Sequence, residues 1–371
     1  MTKTKKLRVA VIFGGKSAEH EVSLQSARNI INAMDKKKFE PVLIGIDKEG
    51  VWHLNDAEHY LLNSDNPKLI ALNKTARHVS FHPGARKNQL MSVDSEKKIG
   101  HIDVIFPVLH GPYGEDGSIQ GLFKLANIPF VGPGVLGSAV GMDKDVMKRL
   151  FRDAGIPTSD FVAFSRHEKN KISFEAVVDR LGLPLFVKPA NLGSSVGISK
   201  VKTKTEFKKA VGLAFQYDRK IIIEENIPGR EIECSVLGNE FPCASIPGEV
   251  ISNAAHHDFY SYEAKYIDEK GATLEIPAKL SKKMIKAVQD IAVRTFQSLC
   301  LEGMARVDMF LTPEGDLLVN EVNTLPGFTA VSMYPKLWEA VGKKGTQLIS
   351  ELIDLAVRRF NEEKKLKTSV D

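Results

Sequence analysis

Apolar residues fall in short blocks punctuated by glycine, proline and charge, and the period within each block assigns its element. Leu7–Phe13 reads as a buried strand broken by Gly14-Gly15; a helix is predicted from about Glu21 to Met34 and a strand at Pro41–Ile46. Such a strand–helix–strand opening is α/β in character. Asp103–Leu109 is a further buried strand, Ile119–Ala126 begins a helix, and FVGPG (130–134) closes the unit, with a boundary near Gly132–Gly141. A middle segment follows, with a helix around Lys144–Ala154 stopped by Gly155-Ile156-Pro157, strands at Phe161–Phe164, Leu185–Lys188 and Ile198–Val201, a helix at Thr203–Phe215 and a strand at Lys220–Glu225. The last segment carries a strand at Glu231–Leu237, a long loop from Ser252 to Lys270, a helix at Ser281–Leu299 and an amphipathic closing helix at Gly345–Asn361. Residues 53–100 are expected as surface strands and loops.

The most informative alternation is ARVDMFLTPEGDLLVNEVN (305–323), a β-hairpin around a Pro-Glu-Gly-Asp break. A two-residue Glu314-Gly315 turn sets Asp308 opposite Glu321 and Arg306 opposite Asn323, all on one face. Facing carboxylates destabilise a sheet unless a positive charge lies between them, and hard divalent cations take carboxylate and amide oxygens. A three-residue turn with a bulge would instead send Asp308 and Glu321 to opposite faces.

Composition narrows the class. A chain of 371 residues is long for one core, so two or three domains are expected. With 43% hydrophobic and 26% charged residues it has the make-up of a water-soluble globular protein, and no apolar run approaches membrane-spanning length. No signal peptide is read, and the 3 cysteines, Cys234, Cys243 and Cys300, have no metal-like spacing and suit a reducing cytoplasm. The net charge of +5 is scattered, without the aromatic–basic interleaving of a nucleic-acid binder.

Lys188 ends a strand and opens KPANLGSSVG (188–197), a small-residue loop whose backbone N–H groups are able to surround phosphate oxygens. It is neither a Walker loop nor a dinucleotide fingerprint, and Gly14-Gly15 is not one either. Glu19 and Glu21 lie where the first strand ends, the end of an open α/β sheet at which ligands bind; His110 ends another strand on the same side. FYSYEAKY (259–266) sits in the long loop and is expected to act as a lid that excludes water.

Together GGKSAEHEVS (14–23), HGPYGEDGSIQG (110–121), GMDK (141–144), VKPANLGSSVGISKV (187–201), GREIECSVLG (229–238), FYSYEAKY (259–266) and GMARVDMFL…NEVNTLPGF (303–328) closely resemble the D-alanine–D-alanine ligase family of the ATP-grasp superfamily, in the family order and over nearly the whole chain. The resemblance implies an N-terminal α/β (preATP-grasp) domain, residues 1–132, followed by a two-subdomain ATP-grasp fold: 133–229 with the phosphate loop and 230–371 with the metal site and lid. It implies ATP and two Mg²⁺ or Mn²⁺ ions, D-alanine as substrate, a D-alanyl phosphate intermediate, a role in peptidoglycan precursor synthesis, a homodimer, and no nucleic-acid or membrane partner. By the same resemblance Asp308, Glu321 and Asn323 are metal ligands. Lys144, Lys188, Ser194, Ser195 and Lys265 contact phosphates, while Glu224, Ile227 and Glu231 belong to the adenosine site. Arg306 and the Gly327 N–H stabilise the tetrahedral oxyanion, and Glu19 holds the first ammonium and closes the lid with Ser194 and Tyr266. His110 lies near the first substrate, and Ser332 and Met333 grip the second carboxylate. Glu225 departs from members that carry a lysine beside the adenine.

Two rivals remain at this point. A D-alanine–D-lactate or D-alanine–D-serine ligase would differ in the lid, where EAKY with Tyr266 favours a D-alanine acceptor. A catalytically silent nucleotide-binding protein of the same fold would have lost Arg306, Asp308 or Glu321, and all three are present.

Overall fold

The computed structural model describes residues 5–85, 87–95, 98–252 and 272–370. At the N-terminus, Leu7–Gly14 pairs in parallel with Phe39–Ile46 on one side and Val104–Val108 on the other, and Trp52–Asn55 adds an antiparallel edge. Val9 to Phe13 are wholly buried, as parallel strands apolar on both faces require. Alternation divides them: Val9, Val11 and Phe13 face the helix His20–Ala33, while Ala10 and Ile12 face Phe123, Phe81 and Leu90. The region 53–100 contributes to both covers: a three-stranded sheet brings Val79, Phe81 and Leu90 to the second face, and a two-stranded sheet brings Leu72 to the first. Gly14 has φ +89°, and a Cβ there would lie 2.2 Å from the Ile46 carbonyl oxygen, so only glycine lets the first strand turn toward its loop.

The first face is completed by the other end of the chain. Leu348, Leu352 and Ile353 of the closing helix Gly345–Glu363 join the core of the N-terminal sheet. Arg359 fastens this helix: its guanidinium donates to the carbonyls of Gly132 (2.6 Å) and Phe130 (2.8 Å), lies 3.2 Å from Glu302 and stacks on the Phe130 ring. Arg359→Ala strands two buried carbonyls, so an unfolding free energy lower by about 3 kcal/mol is expected, read from the urea midpoint at unchanged slope.

The middle sheet is antiparallel, ordered Phe161–Ser165, Lys220–Glu225, Leu185–Pro189, Ser199–Val201, and is covered by the helices Phe174–Leu181 and Lys204–Tyr217. The last sheet runs Ala272–Glu275, Gly248–Ser252, Arg230–Gly238, Gly303–Leu311, Leu317–Asn323, with Cys243–Ala244 beside Arg230–Gly238. Three helices differ from the sequence expectation, one of them Met333–Ala340, where no element was expected. Phe174–Leu181, capped by Ser173, stands where no element was expected. Val135–Met142 occupies the expected boundary at Gly132–Gly141, where its glycines read as breakers. Those glycines serve packing: a Cβ at Gly137 would meet the Cys300 carbonyl at 2.8 Å, and one at Gly141 the Thr324 side chain at 2.6 Å. Asp143 then caps the helix Lys144–Asp153, whose Met147 and Phe151 enter the core beneath the last sheet with Val307 and Val319. Packing therefore crosses the 132/133 and 229/230 divisions of the chain.

Candidate active site

The hairpin strands Gly303–Leu311 and Leu317–Asn323 reach the expected pairing by an unexpected route. The turn is the longer one: Thr312 N–H donates to the Asp316 carbonyl (2.9 Å), and Pro313, Glu314 and Gly315 lie between them, with Gly315 at φ +96°. Near the turn Leu311 pairs with Leu317 and Met309 with Val319, a register that would leave Glu321 on the wrong face. A β-bulge between Asp308 and Met309 absorbs Asn320 as an extra residue and restores Asp308 opposite Glu321 and Arg306 opposite Asn323. The three-residue turn is thus compensated by a bulge on the same strand. The next strand adds Glu233 opposite Asp308, so carboxylates stand side by side on three adjacent strands.

Cations hold this row together. Arg306 makes a two-pronged contact to Asp308, Nε to Oδ1 and Nη2 to Oδ2 both at 2.7 Å, and its Nε lies 3.0 Å from Glu233. Asn323 donates to Asp308 (3.0 Å), and Lys144 lies 3.3 Å from Glu321. Among the described residues no three His, Cys, Asp or Glu side chains form a cation-holding group by themselves. Asp308, Glu321 and Asn323 nonetheless offer two carboxylates and an amide oxygen, the hard donors suited to a divalent ion that shares its other positions with substrate phosphate and water.

The loop after Lys188 is tied at its base and strained at its tip. Asn191 bonds Asp218 through its N–H (2.8 Å) and its side chain (3.0 Å), and Lys144 Nζ donates to the Leu192 carbonyl (2.9 Å). Ser194 and Ser195 take φ of +52° and +60°, a left-handed conformation costing about 1 kcal/mol or more each. Ser194 Oγ donates to Glu19, so the strained tip is held against the end of the first strand. Behind the loop, Lys188 pairs with the buried Glu224 at 2.5 Å. Burial draws the Lys188 ammonium down, but the Glu224 charge outweighs it and leaves the pKa raised; burial pushes Glu224 up, yet Lys148 and Lys188 together bring it down to about 2.

Across the cleft, the segment 324–333 is pinned from the N-terminal domain. His110 is buried, with Nδ1 donating to the Leu325 carbonyl (3.0 Å), and burial lowers its pKa against the pull of Glu19. Ser26 Oγ accepts from Phe328 N–H (3.0 Å). Ser332 Oγ accepts from Thr329 N–H (2.9 Å), and a Cβ on Gly327 would come within 2.9 Å of it. Met333 is buried against Gly248 and Val250.

Glu115 received no role from its sequence. Its carboxyl accepts from Gly111 N–H (2.8 Å) and Leu325 N–H (2.9 Å), joining the His110 loop to the Gly327 segment. Burial, then the charge of Glu19, raises its pKa from 4.5 to about 7. A carboxyl raised on folding binds its proton more tightly in the native state, so its contribution to stability is present below pH 4.5 and is lost as pH rises toward about 7. Glu115→Gln is expected to flatten the melting temperature across that interval; a wild-type pH profile in the variant would rule the assignment out.

Glu19, Ser194, Arg306, Glu321, Asn323, Gly327, Ser332 and Met333 line one cleft, together with Glu115 and Glu233, which sequence reasoning missed. Lys188, Glu224 and His110 support it from behind. Ile227 is half-buried after the Lys220–Glu225 strand, and Glu231 lies on Arg230–Gly238 opposite Phe310. Glu225, the departure from the family pattern, accepts from Asp160 N–H (2.6 Å). Lys265, Tyr266 and the expected lid lie outside the described residues.

The profile described as D-ala D-ala ligase N-terminus matches residues 8–133, and that described as D-ala D-ala ligase C-terminus matches 150–354. The chain is 54% identical over 364 residues to a D-alanine–D-alanine ligase of Oceanobacillus iheyensis, covering 98% of this chain and 99% of that one. It is 53% identical over 365 residues to D-alanine–D-alanine ligase A of Escherichia coli K12, covering 98% and 100%. Among solved structures, the D-alanine–D-alanine ligase from Coxiella burnetii superposes with a TM-score of 0.83 at 39% identity, over 98% and 97% of the two chains. The VanG D-Ala:D-Ser ligase from Enterococcus faecalis follows with 0.82 at 36% identity, over 95% and 100%.

Proposed function

The chain belongs to the D-alanine–D-alanine ligase family, and from that premise we propose that the cleft between Glu19, the Ser194 loop and the Arg306–Asn323 hairpin face is where it joins two D-alanines. The enzyme is an ATP-dependent ligase of peptidoglycan precursor synthesis with an ATP-grasp fold. The observation that carries the site assignment is the convergence, on one cleft, of a carboxylate for an ammonium group, a phosphate-type loop and an arginine set between carboxylates.

Each residue has a role that its surroundings support. Glu19, held by Ser194, receives the ammonium of the first D-alanine, and His110 and Glu115 brace that side. Lys144, Lys188 and the Ser194-Ser195 backbone bind phosphate oxygens, while Glu224, Ile227 and Glu231 border the adenosine. Arg306 and the Gly327 N–H face the oxyanion formed when the second amine attacks the acyl carbon. Ser332 and Met333 border the second substrate's carboxylate. Asp308, Glu321 and Asn323 would hold the divalent ions, Mg²⁺ or Mn²⁺, which when bound neutralise charge on the phosphates so that the substrate carboxylate is able to attack. Lys265 and Tyr266 keep the phosphate-contact and lid-closing roles that the resemblance implies. A homodimer working in the cytoplasm fits this reading; no described helix is long and apolar enough to cross a membrane.

Phosphate release with ATP, Mg²⁺ and D-alanine, with the product identified by mass, tests the assignment. D-alanyl-D-alanine is the expected product, including when D-serine or D-lactate competes. Preference for D-serine would move the chain toward the acceptor named for VanG.

A further inference from the structure

One turn beyond Lys144, the helix Lys144–Asp153 carries a second lysine, which none of the roles above uses. Lys148 is wholly buried. Its ammonium donates to Thr158 Oγ1 and Ser159 Oγ, both at 2.8 Å, and lies 3.2 Å from Glu224 Oε1. The other oxygen of the same carboxylate, Oε2, contacts Lys188. One buried carboxylate therefore serves two ammonium groups, so these three side chains by themselves leave one positive charge in excess. Burying ions costs several kcal/mol each, so an excess cation away from water calls for an anion to face it. The excess is directed outward: Lys148 has 0% side-chain exposure, whereas Lys188, at the mouth of the Lys188–Gly197 loop, has 11%. Glu321 and Glu231 also act on Lys188, and although burial draws the Lys148 ammonium down, Glu224 and then Glu321 oppose it, so the second lysine offsets negative charge that reaches Lys188 from more than one carboxylate.

We propose that Lys148 is a positioning residue for nucleotide binding: by occupying one oxygen of Glu224 it keeps Lys188 from being neutralised there, and so leaves a positive charge available to phosphate. This inference rests on the reading of Lys188 as a phosphate contact. A lysine that merely filled the core would act through packing, and the two cases separate by charge. The same ammonium also orients Thr158, whose hydroxyl donates to the Val319 carbonyl (2.8 Å) beside the hairpin bulge, so the packing role has its own test residue.

The experiment compares ATP and D-alanine kinetics of the wild type with K148M, K148Q, K148R and T158V, with ATP binding measured by calorimetry. K148M and K148Q remove the charge, and the glutamine retains a donor for Thr158 and Ser159 should the methionine variant fail to fold. Both are expected to raise the Michaelis constant for ATP about tenfold, with D-alanine constants within about twofold of wild type. K148R, which keeps the charge, is expected to recover most of that loss. T158V is expected to lower the melting temperature while leaving the ATP constant within about twofold. An unchanged ATP constant in K148M or K148Q, or an equal rise in T158V, overturns the inference while leaving the ligase assignment intact. A wild type that binds no ATP overturns both.

Discussion

Replacing Arg306 by lysine is expected to lower kcat about a hundredfold while leaving a folded protein, because the loss falls on the transition state. Arg306 offers a planar fork that meets both oxygens of Asp308 at 2.7 Å and also lies 3.0 Å from Glu233. An ammonium satisfies one of these partners at a time and cannot hold a donor fixed toward the cleft. The charge survives, so the carboxylate row remains compensated and the melting temperature should move little. Arg306→Met is the harsher variant: Glu233 and Asp308 lose their shared cation, and a further cost of about 3 kcal/mol in stability is expected. A kcat for Arg306→Lys within about threefold of wild type would remove Arg306 from the oxyanion role.

Asp308→Asn should be the second large loss, at least about a hundredfold in kcat, with the apparent Mg²⁺ requirement raised. The amide matches the carboxylate in shape, so the hairpin persists. Its single carbonyl oxygen accepts one prong of Arg306, and its NH₂ opposes the other. The substitution also removes one of the two carboxylates available to a cation. Titrating Mg²⁺ at saturating ATP separates the effects, because a loss in cation binding is recovered at high Mg²⁺ and a misplaced Arg306 is not. Full activity at ordinary Mg²⁺ would mean that Asp308 serves neither partner.

The hairpin illustrates how far local pattern carries. Alternation together with an assumed two-residue turn put Arg306, Asp308, Glu321 and Asn323 on one face; that pairing is observed, but the turn is not the one assumed. The route was not legible: a turn one residue longer and a bulge at Asn320 compensate for each other, and the extra residue of a bulge shows only against the strand it pairs with. Glycine misled at Val135–Met142, where Gly137 and Gly141 permit close approach to Cys300 and Thr324, partners more than 150 positions away in the chain. Glu115, Glu233 and Lys148 carried no signal because their meaning lies in distant partners: Leu325, Arg306 and Glu224.

Period, punctuation and residue type are properties of neighbouring positions, and they sufficed for the strand–helix–strand opening of the N-terminal sheet, the loop after Lys188, the two strands of the hairpin and the family to which the chain belongs. Long-range packing was needed for the rest. The closing helix covers a sheet formed by the first residues, Ser194 meets Glu19, and one buried glutamate is shared by two lysines. Charge and burial depend on what the folded chain brings into contact: a lysine reads the same in sequence whether water or a buried carboxylate surrounds it, and only tertiary packing sets its pKa and its task.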